Sequence, residues 1–196
     1  MTGGPGTERR RVVVIGVGNE FRRDDGIGPE VVSRLRGQAP EGVRLLVSDG
    51  DPTRMIEAWT GASLAVVVDA VLADSPPASL SPFPGRLHRI VVDRAADAST
   101  HPVSSHGLGL GESVALARAL GRMPERLIVH AVEAADVRQG VGLSPAVAAA
   151  ADALTAAVLE DLPADCGPGP VAVDAVGGDG QQVCVAGLEL VEFLLV

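Results

Sequence analysis

Three side chains in this 196-residue chain have the types and placement for metal-assisted hydrolysis: Asp25, Asp69 and His106. Asp25 follows an apolar run, Val12 to Ile15, that breaks at Gly16, Gly18 and Asn19. Asp69 abruptly ends a second run, Leu64 to Val68, and His106 opens a helical stretch behind a long loop. If the strands are neighbours, two carboxylates and one imidazole converge on one small volume. Such a set suits zinc or nickel, and three protein ligands leave positions open for substrate or water. Protonation agrees, because a helix N-terminus favours ionised Asp25 and disfavours the imidazolium of His106, leaving a neutral ring that can coordinate. Each residue also has a plainer role open to it. One of Asp24 and Asp25 would serve as a helix N-cap, Asp69 as a partner for loop amides, and His106 alone as a structural histidine. The case rests on the three together. His88 and His101 read as peripheral, and His130, inside a strand pattern, as a packed histidine. With no G-x-S-x-G elbow, no H-E-x-x-H helix and no cysteine near a histidine in the body of the chain, the expected chemistry is water attack on a carbonyl polarised by a metal or a carboxylate pair.

The elements that must position these residues alternate strand and helix. Val12 to Ile15 reads as a strand buried on both faces of a parallel sheet. A helix is expected from about Asp25 to Arg36, with Pro29 in its first turn and Gly37 at its C-terminal cap. Val43 to Val47 is a second strand, and Ser48-Asp49-Gly50-Asp51-Pro52 turns into a helix over about Thr53 to Trp59. Leu64 to Val68 is a third strand, Arg86 to Asp93 an edge strand and Leu127 to Val132 a fifth strand. Ser105 is expected to cap a helix from His106 to Leu120, with Leu110, Val114 and Ala117 as its buried stripe, widened by Leu116 and Leu120. Ser144 is expected to cap the last helix, with Pro145 first and Val147, Ala151, Leu154 and Val158 buried. The predicted fold is a three-layer α/β domain, a mostly parallel twisted sheet of about five strands with helices on both faces. Residues 1–10 are expected to be a mobile arm, 11–162 the catalytic domain, and 163–196 a tail that adds an edge strand, covers a helix or stays disordered.

Composition narrows the partners. A net charge of −9, with no basic cluster larger than Arg9 to Arg11, argues against nucleic acid or an anionic membrane surface. The two cysteines, Cys166 and Cys184, form no C-x-x-C pair or disulfide framework, which reads as a reducing cytoplasm. The N-terminal residues lack the apolar segment of a signal peptide, and no stretch approaches the roughly 20 apolar residues of a membrane span.

Gly16-Val17-Gly18-Asn19 followed by Asp24-Asp25-Gly26-Ile27-Gly28 resembles the opening motif of the nickel-iron hydrogenase maturation endopeptidases. Val66 to Ala70 resembles that family's strand ending in a metal-contacting Asp, Ser105 to Leu110 its histidine motif, and Gly142-Leu143-Ser144-Pro145 the segment before its last helix. The likeness spans about residues 12–162. It implies that Asp25, Asp69 and His106 are both the metal contacts and the catalytic residues, and that Gly18, Asn19, Asp24, Asp49 and Gly50 meet the substrate. The implied function is a cytoplasmic endopeptidase that removes the C-terminal extension of a hydrogenase large-subunit precursor. Nickel would be presented by the substrate, with zinc or cadmium able to take its place in isolation. Asp49 to Thr53 departs from the family's Gly-Gly-Thr-like turn, and the tail after Pro163 has no recognised counterpart. The second reading is a non-hydrolytic nucleotide-binding or nickel-escort α/β module. Against a dinucleotide fingerprint, the third glycine of G-x-G-x-x-G falls at Phe21, whose side chain would block close phosphate approach.

Overall fold

The computed structural model describes residues 11–72, 83–93, 110–164 and 173–176. Strand β1 (Val12–Val17) is buried along its whole length. Its alternate residues enter two different cores. Val12 and Val14 pack with Ile27, Val31, Val32 and Leu35 of helix α1 (Ile27–Leu35) and with Val147, Leu154 and Val158 of helix α4 (Pro145–Asp161). Val13, Ile15 and Val17 pack with Met55, Ile56 and Trp59 of α2 (Pro52–Trp59) and Val114 and Ala117 of α3 (Leu110–Ala119). Helices on both faces leave no polar side of the strand, so its sequence is continuously apolar rather than alternating. The three-layer α/β fold expected from the sequence is the one observed.

The remaining strands are β2 (Val43–Ser48), β3 (Leu64–Val71), β4 (Leu87–Asp93), β5 (Arg126–Glu133) and β6 (Val173–Val176). They form one six-stranded sheet in the order β4-β5-β3-β1-β2-β6. Only β4, on the edge, runs antiparallel, paired with β5. The short β6 extends the sheet beyond β2, so of the roles open to the tail, residues 173–176 take that of an edge strand. β1 lies between β2 and β3. The chain leaves it through α1 to one side and returns through α2 to the other, so strand order reverses there and a crevice opens at the carboxyl ends of β1 and β3.

Several local expectations change in detail. The helix expected from Asp25 is a 3-10 turn, Arg23–Gly26, followed by α1, whose C-cap is Arg36 rather than Gly37; Gly37 follows with φ +82°. Helix α2 starts at Pro52, with the Asp51 carboxylate accepting Arg54 N–H at 3.0 Å as its cap. In α3 the stripe Leu110, Val114 and Ala117 is buried, whereas Leu116 and Leu120 are 42% and 55% exposed. These two fall on the flank turned away from the sheet. The expected start of that helix, with Ser105 and His106, lies outside the described residues. Among the described residues no helix is long and apolar enough to cross a membrane.

Candidate active site

The turn after β1 is built by close backbone approach. A Cβ on Gly16 would lie 2.2 Å from the carbonyl oxygen of Gly28, and one on Gly28 would lie 2.2 Å from that of Val17. These two glycines seat the first turn of α1 directly against the strand end. Gly18 has φ +127°, and a Cβ there would come within 1.9 Å of the Asp25 carbonyl oxygen. Of Gly16, Gly18 and Asn19, where the apolar run breaks, only Gly18 takes a positive φ, because Gly16 continues the strand and is glycine for contact. Among the described non-glycine residues, only Arg23 has positive φ, at 50°. With the chain so folded, Asp25 Oδ2 accepts Asn19 N–H at 3.0 Å, and Asn19 Oδ1 accepts Phe21 N–H at 2.9 Å.

The adjacent aspartates have opposite roles. Asp24 is 0% exposed. Its Oδ2 accepts N–H from Ala135 at 2.8 Å and Asp136 at 3.0 Å and the Ser144 hydroxyl at 2.9 Å, while Oδ1 accepts Ser144 N–H at 2.6 Å. Neither Asp24 nor Asp25 caps the helix that follows, whose N-cap position is Gly26. Asp24 instead holds the 135–144 loop and supplies the acceptor at the start of α4, where Ser144 was expected to cap with its own side chain and does not. A buried carboxylate with every contact inside the chain is closed to substrate, so its expected substrate role is corrected to an architectural one. Phe21 O also accepts Gly140 N–H at 2.9 Å, and Gly140 O accepts Arg23 N–H at 2.9 Å, which zips the turn to the same loop.

Asp25 and Asp69 line one cavity of about 600 Å³ together with Gly18, Asn19, Asp49 and Gly50. Of the expected site residues in the described chain, only Asp24 stands apart. Asp69 lies near the end of β3 and is 8% exposed. Burial, with a smaller contribution from Asp25, pushes its carboxyl up to about 7 against the pull of a hydrogen bond from the Ala70 backbone. Asp49 is turned toward α2, accepting from the Arg54 guanidinium at 3.1 Å and from Asp51 N–H at 3.2 Å. Gly50, at φ +87°, lets that turn pass close to Val17. Arg22, Asp51, Leu72, Leu110 and Val137 also line the cavity, and the sequence did not mark them as site residues. Arg22 had a signal available, being enclosed between Asn19 and Asp25. Leu72 and Val137 had none, because their approach depends on how two distant strands end.

His106 lies outside the described residues, as do His101, Cys166 and Cys184. His130 is packed as expected, 2% exposed and bonded to Asp161 at 2.8 Å. His88 pairs with Glu133 at 2.9 Å, away from the cavity. The turn is poorly suited to phosphate. Phe21, 62% exposed, occupies the third glycine position, and the Asn19 N–H that a phosphate would use is already given to Asp25.

The Asp69 geometry yields a stability expectation. A carboxyl whose folded value is raised from 3.8 to about 7 favours folding below pH 4, and that stability is lost as pH rises through 7. Asp69→Asn is therefore expected to melt above the parent at pH 8, by at most about 4 kcal/mol of free energy, with the difference shrinking at pH 5. Thermal melts of both proteins at the two pH values check this. A variant less stable than the parent at pH 8 would contradict the burial argument.

The profile of the family described as "HycI: Hydrogenase maturation protease" matches residues 29–161. Over 141 residues the chain is 25% identical to the Hydrogenase 2 maturation protease of Escherichia coli (strain K12), covering 71% of this chain and 82% of that protein. It is 27% identical over 161 residues to the hydrogenase expression/formation protein HupD of Rhodobacter capsulatus, covering 81% and 74%. Among solved structures, the hydrogenase maturating endopeptidase HybD from E. coli superposes with a TM-score of 0.61 at 24% identity, over 76% of this chain and 90% of that one, a likeness of fold. The family match begins after Asp25 and so does not depend on the opening motif.

Proposed function

Because this chain belongs to the hydrogenase maturation protease family, we propose that it cuts the C-terminal extension from the large-subunit precursor of a nickel-iron hydrogenase after nickel has been inserted. The observation that carries the reading is the meeting of Asp25 and Asp69 in one cavity at the carboxyl ends of β1 and β3. The nickel belongs to the substrate. Two carboxylates, joined by His106 from the sequence reading, are hard and borderline donors without thiolate, a weak set for free nickel and a fitting one for completing an ion the precursor already holds. A buried carboxyl that keeps a proton near neutral pH suits this, since it can exchange that proton for the arriving charge. In the isolated protein, zinc or cadmium would take the same position.

The reaction is hydrolysis of one peptide bond. Docking of the nickel on Asp25, Asp69 and His106 places the scissile carbonyl over the cavity, and a carboxylate of the pair takes the proton of the attacking water. Asp49 and Gly50, in the turn after β2 and lining the same cavity, border the extension to be removed. Cysteines without a disulfide framework fit a cytoplasmic setting.

The test is to incubate the protein with nickel-loaded and metal-free precursor and follow the mass of the large subunit. Cleavage of the loaded form alone is expected. Equal cleavage of both would remove nickel as the recognition signal, and cleavage of neither would overturn the processing role.

A further inference from the structure

Peptide hydrolysis builds negative charge on the carbonyl oxygen, and a cavity walled by carboxylates is a poor place for it. Asp25, Asp49, Asp51 and Asp69 all line this one. The backbone donors of the surrounding turns are largely consumed. Gly18 N–H goes to Ser48 O at 2.9 Å, Asn19 N–H to Asp25, Gly50 N–H to the Ser48 hydroxyl at 3.2 Å and Asp51 N–H to Asp49. Arg22 is the only cationic residue lining the cavity among the described residues. Its side chain has no ion pair or hydrogen bond there, whereas Arg23 is tied to Asp136 at 3.2 Å, Arg54 to Asp49 at 3.1 Å and Arg138 to Asp136 at 2.8 Å.

The backbone of Arg22 is held from both sides. Its N–H donates to Asn19 O at 3.0 Å, its carbonyl accepts Asp25 N–H at 3.2 Å, and it bridges to Gly140. A fixed backbone carrying an exposed, unengaged guanidinium at the lining of the cavity, in the same turn as Asp25, leaves that cation free to donate to a carbonyl bound there.

We propose that Arg22 is a catalytic residue of this protease, its guanidinium donating to the scissile carbonyl oxygen and stabilising the oxyanion as water adds. The inference rests on the peptidase reading of the cavity. In the addition step a bond forms between water oxygen and carbonyl carbon, the carbonyl π pair moves onto the oxygen facing Arg22, and the water proton passes to the Asp25–Asp69 pair. On collapse the oxyanion re-forms the carbonyl, the C–N bond breaks, and that proton goes to the leaving nitrogen. Arg22 holds its own protons throughout.

The experiment measures single-turnover cleavage of nickel-loaded precursor by the parent, Arg22→Ala and Arg22→Lys. Arg22→Ala is expected to lower kcat about 100-fold with KM little changed. Arg22→Lys should recover part of the loss, and guanidinium ion added to Arg22→Ala should restore activity in a saturable way, at melting temperatures equal to the parent's. Parent-like kcat in Arg22→Ala overturns the proposal, as does a loss confined to KM or one that follows a lowered melting temperature without guanidinium rescue. A parent that leaves the loaded precursor uncut overturns the peptidase reading and this role with it, whereas parent cleavage with an unaffected Arg22→Ala overturns this role alone.

Discussion

Asp25→Ala and Asp69→Ala are each expected to lower precursor processing by at least about 100-fold while leaving a cooperatively folded protein. Even an outer partner of a metal ligand is commonly worth 10–100-fold, and these groups are proposed to meet the metal directly. Neither holds the fold together. The Asp25 carboxylate accepts one hydrogen bond, from Asn19 N–H, and Asp69 bears a desolvation penalty that its removal relieves. His106→Ala is expected to behave the same way, on the strength of its sequence motif. Processing assays on nickel-loaded precursor, beside circular dichroism melts, separate the two effects. A variant that processes at the parent rate is not part of the site, and one that fails to melt cooperatively was holding the structure.

Asp24→Ala should do the reverse. Removing a fully buried carboxylate strands the N–H groups of Ala135, Asp136 and Ser144, each costing about 1–3 kcal/mol when left unmet, and releases the residue at which α4 begins. The expected loss is about 3–5 kcal/mol, a large share of the 5–15 kcal/mol typical of a domain. Urea denaturation should show a lowered midpoint at nearly unchanged slope. Asp24→Asn keeps an acceptor but turns an amide N–H₂ toward backbone donors, so it should fall between the two. An unfolding free energy within about 1 kcal/mol of the parent for Asp24→Ala would show that the 135–144 loop is secured by other contacts, such as the Arg23 and Gly140 backbone bond. The contrast of neighbouring aspartates, one decisive for activity and one for stability, is a sharper check than either substitution alone.

The sequence by itself determined the layers and where Asp25 and Asp69 would lie on them. Runs such as Val12 to Val17 and Leu64 to Val68 cannot leave a face in water, so a covered parallel sheet follows from them, and a carboxylate at the end of such a run has to lie at the sheet's edge. That is local information, carried by residue type and period, and it was enough to bring Asp25 and Asp69 into one cavity. Tertiary structure decided what local information does not contain. Asp24 and Asp25 are the same residue type one position apart, and which one is buried depends on the 135–144 loop, more than 100 residues away in the chain, arriving with three N–H groups to satisfy. Gly16 and Gly28 look like turn residues, yet they are required because two backbones meet there, a contact between separate elements. Arg22 reads as one more solvated charge until the turn closes and sets it at the lining of the cavity. Periodicity sees the solvent on each side of an element, whereas these choices are made by the partner on the other side of a contact, and only the packed chain supplies that partner.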